Sequence, residues 1–285
     1  MCRLFGLSAA PQRVRATFWL LDAPDSLAAQ SRREPDGTGL GTFGRDGAPL
    51  VEKQPIAAYE DTAFACEARE RESVTFVAHI RYASTGGLSG RNTHPFRQRD
   101  RLFAHNGVVR GLDELEAELG DYRRLVAGET DSERVFALIT QRTDRHGGDV
   151  TAGITDAAAW IGEHLPVYAL NLILTTATEL WALRYPDTHD LYVLERQPAG
   201  RHLEHVGHAG TVHAHSSRLA ELPAVVVASE RMDEDPGWRL LRSGELLHVD
   251  NRLGTRSEVV LEAPPRQRLS LAELGSVGAA SQTGS

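Results

Sequence analysis

Apolar positions alternate with polar ones, or run unbroken for a few residues, at 4–8, 39–43, 74–80, 102–104, 170–174, 180–183, 191–194, 224–228 and 246–249. Alternation places one side-chain set on each face of an extended chain, and a short continuous run suits a strand covered on both faces, so these segments predict strands. A 3.6-residue period at 14–21, 112–119, 132–145 and about 154–164 predicts helices. Thr130-Asp131-Ser132-Glu133 supplies the third of them with an acidic N-terminus. Residues 175–179, between two apolar runs, read as a hairpin turn. Strands on both sides of a helical middle predict segregated layers, an α+β fold, rather than a regular βαβ repeat. No linker or internal repeat divides the pattern, which predicts one domain over 1–272. Residues 273–285 are small and polar, too poor in apolar bulk to pack, and predict a disordered tail.

Composition narrows the function. A chain of 285 residues, 41% hydrophobic and 25% charged, can bury a substantial core. Its net charge of −8 offers no global attraction to phosphate backbones or anionic lipid, so neither nucleic acid nor membrane is an expected partner. No run approaches the ~18 apolar residues of a membrane helix, and the first 21 residues lack a basic region followed by a clean apolar stretch, which predicts a cytoplasmic protein. Two cysteines, Cys2 and Cys66, make no disulfide framework and fit a reducing compartment.

Cys2 is the first candidate for chemistry. Removal of Met1 would leave one residue carrying both a thiol and a free α-amine, and an amine of pKa ~7.7–8 can take the proton of a thiol of pKa ~8.5. The bland alternative is a frayed, unreactive terminal cysteine. Cys66, in Phe64-Ala65-Cys66-Glu67-Ala68, reads as a semi-buried helical residue without a role.

Further segments shift that balance. Asp36-Gly37-Thr38-Gly39-Leu40-Gly41 alternates glycine with an emerging strand, which suits close backbone approach to another element or a ligand. His79-Ile80-Arg81-Tyr82-Ala83-Ser84-Thr85-Gly86-Gly87 sets an arginine, hydroxyls and a glycine turn at a strand end, apt for clamping a carboxylate. Asn92-Thr93-His94-Pro95-Phe96 follows. Ala104-His105-Asn106-Gly107 then ends a strand with an amide beside a flexible N–H, either an oxyanion hole or an ordinary Asn-Gly hairpin turn. Asp131, at a helix start, can bind an ammonium or merely cap. His202, His205, His208, His213 and His215 are dense enough to raise a metalloprotein, but their spacing matches no zinc pattern, and no metal is expected.

In this order the segments resemble the class II (N-terminal nucleophile) glutamine amidotransferases. The remainder after residue 133, including Val225-Val226-Val227-Ala228-Ser229-Glu230 and Met232-Asp233-Glu234-Asp235-Pro236-Gly237-Trp238, is similar, more weakly, to the stand-alone branch that includes the ergothioneine-pathway γ-glutamyl amidohydrolase. The resemblance implies a four-layer αββα Ntn-hydrolase sandwich without a cofactor. It implies Cys2 as nucleophile, Asn106 and Gly107 as oxyanion donors, Arg81 on the substrate α-carboxylate, Asp131 on its α-ammonium, and Ser84 and His94 lining or bracing the glutamyl pocket. Tyr82 stands where transferase domains often have Trp, and Thr85 where some have His, which puts donor-side details in question. The expected activity is hydrolysis of a small-molecule γ-glutamyl amide. The alternatives are a glutaminase subunit feeding ammonia to a separate synthase subunit, or an idle binding protein on the same fold.

Overall fold

A computed structural model describes residues 2–82, 87–197 and 222–283. Two sheets carry the fold. The first contains β1 (Arg3–Ser8), β2 (Gly37–Phe43), β3 (Pro49–Gln54), β4 (Thr75–Arg81), β9 (Tyr192–Arg196), β10 (Ala224–Ala228) and β11 (Arg239–Leu240), in the order β11-β9-β10-β1-β4-β2-β3. The second contains β5 (Phe96–Gln98), β6 (Arg101–Val109), β7 (Pro166–Thr175), β8 (Leu180–Arg184), β12 (Glu245–Val249) and β13 (Thr255–Val259), in the order β13-β12-β8-β7-β6-β5. A short β14 (Gln267–Arg268) adds to β7 in parallel, whereas the ladders along both orders are antiparallel.

Side-chain alternation divides the interior into three cores, as a period of two requires. Leu4, Val77, Val225 and Val227 of the first sheet meet Leu102, Ala104, Ile173 and Leu247 of the second. The opposite face of the first sheet, with Phe5, Leu7, Phe76 and Ala78, packs on Trp19, Leu27 and Phe64. These come from a turn of π-helix at Phe18–Asp22 and from helices α1 (Leu27–Gln30) and α2 (Thr62–Glu70). The outer face of the second sheet, with Phe103, Leu170, Leu172 and Leu174, packs on helices α3 (Leu112–Leu119), α4 (Asp131–Arg145) and α5 (Val150–His164). The layers are therefore αββα, the sandwich that the resemblance implies.

Each strand anticipated from the apolar pattern is present, several of them longer, and residues 176–179 close the β7–β8 hairpin through a Thr176 N–H to Glu179 carbonyl bond of 3.0 Å. The pattern misses β3, β5, β11, β13 and β14, which are very short or largely polar or exposed and show too little alternation to detect. Three further expectations need correction. Asn106-Gly107 does not end its strand, because β6 continues to Val109. Cys66 is helical as expected but exposed. The stretch expected to be disordered from 273 instead contains a 3-10 turn over Leu271–Leu274 and a helix, α6 (Gly275–Thr283). Composition undervalues this segment because a few contacts hold it: Leu274 packs on Val108, Tyr168 and Ala169, Ser270 and Glu273 cap each other, and Gln282 Oε1 lies 2.6 Å from His189 Nε2. No helix among the described residues is long and apolar enough to cross a membrane.

Candidate active site

The site lies at one end of the sandwich, where β1 and β4 of one sheet meet β6 and the start of α4. Cys2 precedes β1. Arg3 pairs with Ile80 in the ladder to β4, so one further step brings Cys2 level with Arg81. The Cys2 thiol lies 3.5 Å from the Tyr82 carbonyl, and the Tyr82 N–H donates to Sγ at 3.2 Å. Burial pushes the thiol pKa up while the Tyr82 N–H pulls it down, since that bond favours the thiolate. Among the described residues no histidine is hydrogen-bonded to Sγ.

Asn106 reaches across from the second sheet. Its parity in β6 matches Ala104, which faces the first sheet, and its Nδ2 donates to the Cys2 carbonyl at 3.0 Å. Its Oδ1 is buried without a hydrogen-bond partner among the described residues. Gly107 also lines the pocket, and a Cβ there would lie 1.9 Å from the Ala169 carbonyl oxygen and 2.8 Å from His105 Nε2. Only glycine fits between β7 and that imidazole.

Arg81, His94 and Asp131 line the same pocket, so five of the seven anticipated residues, with Cys2 and Gly107, surround it, and Asn106 adjoins it through its bond to the Cys2 carbonyl; Ser84 lies outside the described residues, as do Thr85 and His202–His215. Asp131 also closes the junction of β6 and α4: Oδ2 accepts from the Val109 N–H at 2.9 Å and Oδ1 from the Ser132 N–H at 2.8 Å. Arg81 Nη1 donates to the Gly87 carbonyl at 3.2 Å. That carbonyl also accepts from Asn92 Nδ2, which donates to Glu129 as well, while the Glu129 N–H returns a bond to Asn92 Oδ1. Asn92 thus ties the Asn-Thr-His-Pro segment to the Glu-Thr-Asp segment and steadies the chain beyond the arginine.

Sequence reading assigned no role to Asn92, His79, His105, Thr130 or Ser132, although each adjoins a residue it chose; all five line the pocket. His79, His94 and His105 are buried together, with the rings of His79 and His94 4.2 Å apart. None of the four nitrogens of His79 and His94 has a hydrogen-bond partner among the described residues, whereas His105 Nδ1 lies 2.9 Å from Ser132 Oγ. Burial drives all three pKa values down, His79 to about 3, and neighbouring positive charge lowers His79 and His94 further. The imidazoles are therefore neutral at pH 7.

A group whose pKa falls on folding stabilises the native state above its unfolded pKa and loses that contribution as pH drops. For His79 the interval runs from the ordinary 6.5 down to about 3. Thermal melts should therefore show a falling melting temperature as pH is lowered from about 6.5 toward 3, and a His79→Asn variant should show a shallower dependence. A flat profile across that interval would contradict buried neutral imidazoles.

About 20 Å³ of open space remains among these side chains, enough for a water. A four-layer αββα sandwich with a cysteine thiol at the entry to its inner face defines the N-terminal-nucleophile hydrolase class. The chain belongs to the class II glutamine amidotransferases, whose family model matches residues 1–273, and it is an enzyme of that family. The γ-glutamyl-hercynylcysteine sulfoxide hydrolase of Mycobacterium tuberculosis is 28% identical over 88% of this chain and 94% of its own. The putative glutamine amidotransferase YafJ of Escherichia coli is 28% identical over 70% of this chain and 78% of its own. A glutamine aminotransferase class-II domain protein from Silicibacter pomeroyi shares the fold at TM-score 0.58 and 20% identity, covering 90% of this chain and 98% of that one. Glutamine phosphoribosylpyrophosphate amidotransferase from B. subtilis shares it at TM-score 0.64 and 20% identity. There the match covers 92% of this chain but 50% of the other, so the chain spans about half the length of that larger enzyme.

Proposed function

We propose that the protein hydrolyses a γ-glutamyl amide through a thioester on Cys2. The observation that carries this reading is the lining of one pocket by Cys2, Gly107, Arg81 and Asp131, with the Asn106 amide donating to the Cys2 carbonyl beside it. With Met1 removed, the Cys2 α-amine takes the Sγ proton; the absence of a histidine on Sγ among the described residues, and the basicity that burial takes from the three nearby imidazoles, favour that base. The thiolate attacks the γ-carbonyl carbon, forming the C–S bond as the carbonyl electron pair moves to oxygen. Asn106 and the Gly107 N–H hold the resulting oxyanion. Collapse breaks the C–N bond, and the protonated α-amine gives its proton to the leaving nitrogen. Water then hydrolyses the thioester to glutamate and regenerates the thiol. Arg81 pairs with the substrate α-carboxylate, and Asp131, whose Oδ2 keeps an acceptor direction beside its bond from the Val109 N–H, holds the α-ammonium.

Asn106→Ala should lower kcat by roughly 10²–10³ with a modest change in KM, because the oxyanion exists only after attack. Arg81→Ala should chiefly raise KM, by roughly tenfold to a hundredfold, because the carboxylate contact is made in the ground state too. Steady-state kinetics on a γ-glutamyl amide separate the two. If Asn106→Ala kept full turnover and Arg81→Ala left KM unchanged, the assignment of this pocket would be wrong.

A further inference from the structure

Beyond the pocket around the thiol, a larger cavity of about 320 Å³ opens beside the same strand, lined in part by His189, Asp190, Tyr192, Ser229, Glu230 and Arg231. Its position follows from the register. β1 and β10 pair with Phe5 opposite Ala228, and the pairing persists past the ladder. Ser229 N–H donates to the Leu4 carbonyl at 3.1 Å, Leu4 N–H donates to Ser229 Oγ at 3.0 Å, and Arg3 Nη2 meets Glu230 Oε1 at 2.6 Å. One more step sets Arg231 level with Cys2, as Arg81 is on the β4 side. The other wall is fixed to the second sheet: Asn171, opposite Asn106 in the β6–β7 ladder, donates from Nδ2 to the His189 and Asp190 carbonyls at 3.2 Å each. The cavity thus lies on the β10 side of β1, as the Arg81 pocket lies on its β4 side.

The charges select what it can hold. Glu230 is neutralised by Arg3 and by Arg33 at 3.0 Å. Asp190 is met by Arg184 at 3.2 Å and accepts from the Tyr192 hydroxyl at 2.9 Å. Arg231 is different. Its guanidinium lies over the Tyr192 ring, 5.3 Å from the centroid, and among the described residues no carboxylate comes within ion-pair distance of it. His189 is 2% exposed; Nε2 donates to Gln282, and Nδ1 is buried without a hydrogen-bond partner among the described residues, an acceptor free for a ligand N–H. The cavity therefore presents one uncompensated, ring-supported cation together with a neutral acceptor.

We infer that this cavity is the leaving-group subsite and that Arg231 is its specificity residue, selecting γ-glutamyl amides whose amine portion carries an anionic group. This rests on the hydrolase reading above and adds the class of substrate. Arg231 touches the departing amine and not the reacting carbonyl, so it acts on choice among amides and leaves the chemistry of glutamine itself alone.

The test compares γ-glutamylglycine, γ-glutamylglycinamide and glutamine with the full-length protein and with Arg231→Ala, an exposed position whose substitution leaves the core intact. The wild type should favour the free carboxylate over the carboxamide by roughly tenfold to a hundredfold in kcat/KM. Arg231→Ala should abolish that preference while glutamine hydrolysis stays within about twofold, the scatter expected when no substrate contact is lost. Equal rates for carboxylate and carboxamide in the wild type, or a preference that survives Arg231→Ala, would overturn the assignment. Calorimetric binding of the same dipeptides to Cys2→Ala and to Cys2→Ala/Arg231→Ala gives a readout free of turnover. A carboxylate preference in binding with no hydrolysis by the wild type would retire the hydrolase reading and keep the subsite; hydrolysis with no preference in either assay would do the reverse.

Discussion

Cys2→Ala should bind γ-glutamyl compounds and turn over none of them, with kcat reduced on the order of 10⁴-fold or more, the scale on which deletion of a covalent nucleophile acts. Alanine keeps the small second residue that permits Met1 removal, so the variant loses the sulfur and retains the α-amine. Cys2→Ser should fare little better, because an alkyl hydroxyl is far harder to deprotonate than a thiol with the Tyr82 N–H directed at it. A glutamine-analogue diazoketone should alkylate Cys2 and spare Cys66, which sits exposed on α2, where Glu70 raises its pKa and suppresses the thiolate. Peptide mapping of the labelled protein reads this directly, and Cys66→Ala supplies the control, with full activity and full labelling. Modification at Cys66 alone, or turnover by Cys2→Ala, would remove the thioester mechanism.

Gly39→Ala should be strongly disruptive for a single added methyl. A Cβ on Gly39 would lie 2.0 Å from the His94 carbonyl oxygen and 2.9 Å from Pro95 Cδ, neither of which is the end of a flexible side chain. The segment it strikes is also pinned from its other side, because Lys53 Nζ donates to the Thr93 carbonyl at 2.8 Å and to the Pro95 carbonyl at 3.4 Å. Making room means breaking those bonds and displacing Asn92 and His94 from the pocket. We expect a loss of about 3 kcal/mol or more in urea unfolding, at the upper end for overpacking, together with most of the activity. Gly90→Ala is the matched control: no atom lies within 4 Å of its Cβ, and stability should stay within about 0.5 kcal/mol of wild type. An unaffected Gly39→Ala would mean that β2 and the His94 segment are not in this close contact.

Much of this could be read before any coordinates. The strands that build the core were legible because a strand buried on one face alternates and a strand buried on both runs apolar, and β1, β4, β7 and β10 do one or the other. The thiol and α-amine of Cys2 are local chemistry and need no fold to be seen. The glycines of β2 announced a close backbone approach, and the segment they approach is now identified as His94-Pro95.

Other features depend on partners distant in sequence, and no local pattern encodes those. The edge strands β3 and β13 carry polar side chains, and it is pairing with β2 and β12 that makes them strands. α6 looks like a solvated tail until Leu274 and Gln282 find Tyr168 and His189 across the fold. His79, His94 and His105 are ordinary titratable residues in the sequence; burial together lowers all three pKa values, and at His105 it outweighs the opposing charge of Asp131. Arg231 is one arginine among many until the antiparallel register of β1 and β10 carries its segment past the start of β1, because pairing order, and not distance along the chain, decides which segments stand together at that end of the sheet.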